Sequence, residues 1–324
     1  MKKLIYLLIV VMIIIGGGTG YIYHEINKPE KYAKVIEIKS DVPLKKSLSV
    51  LPISKNIIFK GYLKYRNEGK GIKAGYYELK GNLNMKELID VLEEGKDKVF
   101  RLTIPEGYSV AEIAELLEKM GKIDKDKFYK TFNEIEFPYP TPNGNFEGYL
   151  YPETYYIPEN YDERLILRTL LREFLKKFPP ENYPNKEEFY QKLIMASILE
   201  REAKLDKEKP LMASVFYNRI DKGMKLASDA TVNFVYNYKK KRMYYKDLEI
   251  DSPYNSYKNK GLPPTPIASP GIKSIEATLY PEKTEYLYFV AKMDGGNNYS
   301  TNYEDHLKYV KEYKDERDRL NKEK

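Results

Sequence analysis

The chain has 324 residues, 42% hydrophobic and 32% charged, which predicts two or three folded domains rather than a disordered protein. Its net charge of +7 comes from interspersed acidic and basic residues without a dense Lys/Arg block interleaved with aromatic residues, so we expect no nucleic-acid partner. The absence of cysteine excludes thiol catalysis, disulfides and Cys-based metal sites. With only His24 and His306 present, acid–base chemistry falls to carboxylates, tyrosines or lysines, which argues against a Ser-His-Asp hydrolase or a histidine-rich zinc site.

The N-terminus has the pattern of a membrane anchor. Lys2 and Lys3 precede an uncharged run, Leu4–Tyr23, whose length matches the roughly 20 residues that a helix needs to cross a bilayer. The lysines favour a cytoplasmic N-terminus with the rest of the chain extracytoplasmic. We therefore predict a single-pass cell-membrane protein anchored by residues 1–23, with a cleaved signal peptide or a buried core helix as the alternatives.

The region after the anchor has two candidate strands and a weak repeat. The strand-like segments are residues 33–40 and Ile57–Tyr65. The repeat comprises residues 80–96 and 106–122, each with a capping residue, a glutamate three positions later and apolar residues at helical spacing. The capping pairs are Asn84 with Glu87 and Ser109 with Glu112. A strand-like segment precedes each copy, so we predict two small β-then-α units, typical of a binding or spacer module or of a structural arm.

A cluster of prolines between residues 136 and 160 predicts a domain boundary near residue 140. The elements predicted beyond it are helices at 163–177 and 186–204, a proline-stiffened loop at 261–271, a strand at 285–292 and a polar C-terminal helix or tail. The mixture of short strands and helices predicts an α+β fold.

Two glutamates stand two positions apart on the predicted helix at 186–204, and helical spacing separates them. Glu202 follows Ile198 and Leu199 by four and three residues, which places it in an apolar stripe. A carboxylate against apolar walls has a raised pKa and can serve as a general acid. The alternative is a buried structural carboxylate paired with a cation such as Arg219.

The same spacing rule places Glu200 on the solvent-exposed face of the predicted helix. It lies four residues before Lys204, in the Glu-to-Lys order that stabilises exposed helix surfaces. We therefore predict that Glu200 is a solvated partner of Lys204.

Four blocks of sequence together carry a family resemblance. They are "EGYLYPETYYIP" (147–158), "ASILEREAKLDKEKPLMASVFYNRIDKGMKLASDATVNFVY" (196–236), "SPYNSYKNKGLPPTPIASPG" (252–271) and "TEYLYFVAK" (284–292). In this order they resemble the endolytic murein transglycosylases, the YceG-like family, from about residue 75 to the C-terminus. The anchor also agrees with that family's architecture, which includes a LysM-like module in the repeat region.

The resemblance implies an α+β protein with three parts: a transmembrane helix (1–23), an extracytoplasmic arm with a small LysM-like α/β module (24–140) and a mixed α+β catalytic domain (141–324). It implies an enzyme that cuts peptidoglycan glycan strands internally and non-hydrolytically, with the family's essential glutamate on Glu202. This chemistry requires no metal or cofactor. Termination of nascent strands beside wall-synthesis proteins is a further expectation of the resemblance.

Other residues in the matched blocks are candidate sugar contacts. These are Glu153, Asn218, Asp229, Tyr254, Asn255 and Tyr257, each of which has a turn or capping role as its alternative. The chain departs from the family at Asn297, where a histidine is common after "GG", whereas His306 matches the distal family histidine.

Two alternatives to the transglycosylase remain open at this point. One is a hydrolase of the same glycan with Glu202 as acid and Glu153 or Asp229 as base. The other is a membrane-anchored wall-binding scaffold whose catalytic site has decayed, as the missing histidine at Asn297 suggests.

Overall fold

The computed structural model describes residues 2–38, 43–66, 72, 75–94 and 99–322, and its mixture of helices and strands confirms the α+β class. The helices are α1 (Lys2–Asn27), α2 (Leu44–Ser47), α3 (Ile57–Tyr65), α4 (Met85–Glu94), α5 (Val110–Lys119), α6 (Lys125–Lys130), α7 (Glu163–Lys177), α8 (Lys186–Glu202), α9 (Lys209–Asp221), α10 (Asp229–Val235), α11 (Ile272–Leu279) and α12 (Tyr303–Lys322). The strands are β1 (Glu30–Ile38), β2 (Gly75–Leu83), β3 (Val99–Thr103), β4 (Thr154–Pro158), β5 (Tyr288–Ala291) and β6 (Asn297–Ser300). They form the pairs β1–β2, β3–β4 and β5–β6.

The chain divides into two compact units. The smaller unit comprises Met1–Arg101 with Tyr156–Asn160, and the larger comprises Leu102–Tyr155 with Tyr161–Lys324. The boundary predicted near residue 140 lies inside the larger unit. The division into an arm and a catalytic domain stays a prediction about function.

The smaller unit is built on the antiparallel pair β1–β2, in which Glu30 lies opposite Leu83 and Ile38 opposite Gly75. Apolar side chains from this pair and from the helices around it form one buried core, which includes Ile36, Phe59, Leu79, Leu88 and Leu92. The strand predicted at residues 33–40 is confirmed as β1 as far as Ile38, and residues 39 and 40 lie outside the described part of the chain.

The strand predicted at Ile57–Tyr65 is wrong, because this segment is the helix α3. The Asn56 side chain accepts a hydrogen bond of 2.8 Å from the backbone N–H of Ile58 and so caps the helix N-terminus. Phe59 is buried in the core of the smaller unit. The cap and the burial of one helical face outweigh the strand preference of the β-branched and aromatic residues.

The predicted anchor coincides with α1, which continues to Asn27. The side chains of residues 1–11, 13 and 14, which make up most of its apolar run, lie outside the described part of the structure. Among the described residues, no helix combines the length and the apolar character needed to cross a bilayer. Membrane insertion of this segment stays a prediction.

Both predicted capping pairs are confirmed. The Ser109 backbone N–H donates to the Glu112 carboxylate at 2.9 Å while Glu112 N–H donates to the Ser109 hydroxyl at 3.2 Å, and Asn84 and Glu87 exchange equivalent bonds of 2.9 Å. The two copies of the repeat nevertheless join different sheets, since β2 pairs with β1 and β3 pairs with β4.

The larger unit has an aromatic core around Phe174 of α7, a helix whose bounds match the prediction. Phe174 is fully buried, and its ring lies 5.0 Å from the Tyr149 ring and 5.1 Å from the Phe178 ring, measured between centroids. Next to it, α11 packs on α8 and α9 around apolar residues that include Met195 and Phe216. This second group of helices carries the candidate site.

Phe174→Ala will lower the free energy of unfolding by about 3–5 kcal/mol, because it leaves a cavity among aromatic side chains that are held by the surrounding helices. Urea unfolding followed by circular dichroism measures the change. Leu165→Ala on the same helix is the matched control: Leu165 is 40% exposed, and its truncation will cost less than about 1 kcal/mol. Equal losses in the two variants would contradict this account of the core.

Candidate active site

The helix α8 ends at Glu202, two residues before the predicted end. Ile198 and Leu199 are fully buried with Met195, so the face that the spacing assigned to the core does pack there. Lys204 and Leu205 lie beyond the helix, and helical spacing therefore says nothing about them. Glu202 is thus held by the last turn of a helix whose preceding turns are packed into the core.

The Glu202 carboxylate meets the start of α10. The Ser228 hydroxyl donates a hydrogen bond to Glu202 Oε1, and the Ala230 backbone N–H also bonds the carboxylate. Burial raises the pKa of Glu202, and the nearby negative charge of Asp229 raises it further. The two hydrogen bonds lower the pKa without reversing the net upward shift. Glu202 is therefore a carboxyl that holds its proton to higher pH than a free glutamate.

Arg219, the predicted ion-pair partner of Glu202, has other partners. Its Nε donates to the Leu287 carbonyl oxygen and its Nη1 donates to the Leu226 carbonyl oxygen, each at 2.6 Å. No salt bridge to Glu202 occurs among the described residues, and Arg219 contributes only a weak longer-range attraction that lowers the pKa of Glu202. The prediction of a structural Glu202–Arg219 pair is wrong, because the Arg219 guanidinium donates its hydrogen bonds to backbone carbonyl oxygens instead.

The prediction that Glu200 is a solvated partner of Lys204 is also wrong. Its side chain is only 8% exposed and accepts hydrogen bonds from the Gly271 backbone N–H at 2.9 Å and the Ser274 hydroxyl at 2.7 Å, both at the start of α11. The Lys209 ammonium group of α9 lies 3.3 Å from its other oxygen. Glu200 thus joins α8 to α9 and α11, and it fixes the turn of helix that carries Glu202.

Glu202 and Asp229 line one cleft with a volume of about 520 Å³. Asp229 is the first residue of α10, whereas the N-cap position belongs to Ser228, so the capping role considered for Asp229 is wrong. The Tyr257 hydroxyl donates to Asp229 Oδ1 at 2.7 Å. Of the predicted sugar contacts, the structure therefore brings Asp229 and Tyr257 together with Glu202.

Two of the predicted sugar contacts are amides that hold the backbone instead. Asn218 donates hydrogen bonds of 2.9 Å to the carbonyl oxygens of Thr284 and Tyr286. Asn255 is fully buried and donates two bonds of 2.8 Å to carbonyl oxygens within residues 248–250. Their amide N–H groups are occupied by these bonds, so both residues hold backbone segments in place, and neither lines the cleft that contains Glu202.

Tyr254 and Glu153 also lie elsewhere. The Tyr254 hydroxyl is 2.9 Å from the Thr265 hydroxyl, and its ring packs on Phe234 with centroids 4.9 Å apart. Glu153 is exposed, and its carboxylate accepts a hydrogen bond from the adjacent Thr154 backbone N–H. Neither residue lines the cleft that contains Glu202.

The two positions compared with family histidines have local partners. Asn297, the first residue of β6, donates a hydrogen bond of 2.6 Å to the Glu208 carboxylate. His306 of α12 lies against the rings of Tyr288 and Tyr303, at centroid distances of 5.2 and 5.7 Å, and burial lowers the pKa of its imidazole. Neither residue lines the Glu202 cleft, so the asparagine at 297 leaves the cleft lining unchanged.

The sequence reasoning missed a basic segment of the cleft. Three consecutive cations, Lys240, Lys241 and Arg242, line it beside Tyr238, whose ring lies 3.5 Å from the guanidinium carbon of Arg201. The signal was present as the run of four cations at 239–242, and it contradicts the view that the chain has no Lys/Arg block. Within the described residues, no group of His, Asp and Glu side chains could hold a metal ion.

Comparison with known proteins gives consistent matches. The model of the YceG-like family matches residues 42–312. A Bacillus subtilis protein named endolytic murein transglycosylase is 34% identical, over 93% of this chain and 91% of its own length. A Streptococcus pneumoniae protein of the same name is 30% identical, over 81% of this chain and 54% of its own length. The crystal structure of a YceG-like protein from Listeria monocytogenes, 33% identical, has a TM-score of 0.58 and covers 85% of this chain and 98% of that one.

Ser228→Ala will raise the pKa of Glu202 further, because it removes a hydrogen bond that favours the ionised carboxylate. The pKa of Glu202 in the folded protein already lies above its value in the unfolded chain. The contribution of this carboxyl to stability is therefore fully present at a pH below the unfolded pKa, and it is lost as the pH rises through the folded pKa. A ¹³C NMR titration of the glutamate carboxyls measures the shift, with the Glu202→Gln spectrum identifying the signal. An unchanged or lowered midpoint would contradict the assigned role of Ser228.

Proposed function

The chain belongs to the YceG-like family, and we propose that it is an endolytic murein transglycosylase that cleaves the MurNAc–GlcNAc bond with Glu202 as its acid and base. It is an enzyme of the lytic transglycosylase type, as the shared identity with named murein transglycosylases over most of the chain supports. The observation that carries the assignment of Glu202 is a partly buried carboxyl of raised pKa in a cleft of about 520 Å³.

The first step in this proposal is protonation of the glycosidic oxygen. A glutamic acid that keeps its proton to higher pH can transfer it to the oxygen between MurNAc and GlcNAc as the C1–O bond breaks. The GlcNAc side then leaves with a hydroxyl group, and the MurNAc side becomes an oxocarbenium-like or acetamido-stabilised intermediate. The Ser228 hydroxyl and the Ala230 N–H face the carboxylate that remains, and they stabilise its new negative charge.

The second step uses the same carboxylate as a base. Glu202 takes the proton of the MurNAc C6 hydroxyl, whose oxygen bonds to C1 and closes a 1,6-anhydro ring. The proton returns to Glu202, so the enzyme is restored and no water is consumed. One carboxyl therefore serves both steps, as acid in the first and as base in the second. This change of role is consistent with microscopic reversibility.

Asp229 supports the chemistry without transferring a proton. Its carboxylate lines the cleft beside Glu202 and accepts the Tyr257 hydroxyl bond, which holds it in place. A negative charge there raises the pKa of Glu202 and stabilises positive charge that develops at C1. Tyr257 thus acts as a positioning residue for Asp229.

The hydrolase is the second candidate, and one observation favours a form of it. Asp229 lies in the cleft with Glu202, where it could activate a water molecule, whereas Glu153 does not line the cleft. The two reactions differ in the acceptor that attacks C1, which is the C6 hydroxyl in one and water in the other. The chemical form of the new MurNAc end distinguishes them.

We place the enzyme in the cell membrane through residues 1–23, with its cytoplasmic N-terminus before the span and the cleft outside. The support is the apolar run Leu4–Ile15 preceded by Lys2 and Lys3. This position would bring the cleft near newly made strands, so termination of nascent glycan beside wall-synthesis proteins is part of the proposal.

Glu202→Gln will abolish release of soluble fragments from isolated sacculi by the full chain, a loss of at least about a hundredfold, because the amide cannot donate or accept the proton. Mass spectrometry of the wild-type products will show 1,6-anhydroMurNAc ends. Glu153→Gln is the matched control, an exposed glutamate outside the cleft, and it will retain wild-type rates. Reducing MurNAc ends would support the hydrolase, and release by Glu202→Gln would exclude Glu202 as the acid.

The chain will remain in the membrane pellet after alkaline carbonate extraction, which strips proteins held only by surface contacts. A chain lacking residues 1–23 will appear in the supernatant and keep the unfolding profile of the rest of the protein. Release of the full chain by carbonate would contradict the anchor.

A further inference from the structure

The cleft that contains Glu202 has a strongly basic segment that acid–base chemistry does not require. Lys240, Lys241 and Arg242 line it along the loop that follows α10. Lys241 and Arg242 are exposed, and over the described part of the chain neither has a carboxylate within salt-bridge distance. Two cations without a protein counter-ion therefore border the cleft.

The other two cations of the cleft are already neutralised. Lys240 Nζ lies 2.9 Å from Asp247, and Arg201 pairs with Glu112 of α5. Lys240 and Arg201 thus have carboxylate partners within the protein, whereas Lys241 and Arg242 have none among the described residues. Lys241 is the residue directly after the paired one.

The loop that carries these cations is braced at its base. Asn233 of α10 donates a hydrogen bond of 2.9 Å to the Lys240 carbonyl oxygen and accepts one of 3.3 Å from its N–H. Asp247 binds the Lys240 ammonium group and accepts the Tyr244 N–H at 3.0 Å. The backbone on both sides of Lys241 and Arg242 is therefore fixed, which lowers the entropic cost of using them in binding.

A neutral sugar polymer gives no reason for such a pair of cations, but murein strands are not neutral. Each MurNAc carries a lactyl group with a stem peptide that has free carboxyl groups, and phosphate-linked polymers are attached to some strands. Any such substituent near the bond at Glu202 would lie within a cleft of this size. Cations at its border would attract the substituent and be screened by salt.

We propose that Lys241 and Arg242 bind an anionic substituent of the glycan strand beside the scissile bond, so that the cleft selects charged murein strands over uncharged ones. The inference rests on the proposed function for the identity of the strand. The chemistry shared by the two sources is an oxyanion, from a stem-peptide carboxylate or a phosphate. Arg242 can hold it with two parallel N–H bonds, and Lys241 acts as a point charge.

The test measures binding rather than turnover, so it does not depend on catalysis. Fluorescently labelled, soluble, uncrosslinked murein strands are titrated into the full chain carrying Glu202→Gln, and anisotropy gives the Kd. Adding Lys241→Gln with Arg242→Gln will raise the Kd about fivefold at low salt, the effect of two exposed charge contacts. The difference will fall below about twofold at roughly 0.5 M salt.

Arg168→Gln with Arg172→Gln is the matched control. These are two exposed arginines of α7, outside the Glu202 cleft, and their replacement removes the same net charge. They will leave the Kd within about twofold. Equal weakening by both double variants would show a general charge effect and overturn the proposal, as would no weakening by the cleft variant.

Chemically altered strands identify the anion. If amidation of the carboxyl groups removes the difference between the cleft variant and its parent, the anion is a stem carboxylate; if removal of phosphate does so, it is a phosphate. A difference that survives both treatments overturns the proposal. If the binding difference appears but the wild type releases no fragments, the proposed function fails and this inference stands. If fragments are released without a binding difference, only this inference fails.

Discussion

Two carboxylates in the last turn of α8 constrain the arrangement of the larger unit. A buried carboxylate without partners costs several kcal/mol, so each must meet donors as the chain folds. Glu200 takes its donors from Gly271, Ser274 and Lys209, and Glu202 takes the Ser228 hydroxyl. The start of α9, the start of α10 and the start of α11 are thereby tied to one helix end. Glu202, at that helix end, lines the cleft of the candidate site.

Local patterns gave much of the fold. The bounds of α7 and the capping boxes followed from periodicity and capping residues, because both depend on neighbours within one helical turn. The helix α3 was mistaken for a strand, since its β-branched residues favour strands while Asn56 and the burial of Phe59 favour a helix. Composition alone does not decide such a competition, because burial of one face depends on distant parts of the chain.

The site was predicted in part for the same reason. Glu202 was identified from its position on the apolar face, which is a property of one helix. Glu200 was misjudged because the i,i+4 rule assumes that the helix continues, whereas it ends at Glu202, and because its donors lie about 70 residues further along the chain. Asn218 and Asn255 belong to the family-like blocks, yet their amides hold backbone carbonyls. A shared motif therefore contains residues that hold the backbone as well as residues that line the cleft.

The end of α8 at Glu202 has one further electrostatic consequence. The peptide dipoles of a helix sum to a partial negative charge at the C-terminus, roughly half an elementary charge, and this opposes ionisation of a carboxyl located there. Glu202 is the final residue of a 17-residue helix, so the dipoles of α8 favour its protonated form, whereas the Ala230 N–H at the start of α10 favours the ionised form. Unlike desolvation by a bound strand, this contribution is present while the cleft is empty. The acid is thus prepared before any glycan arrives.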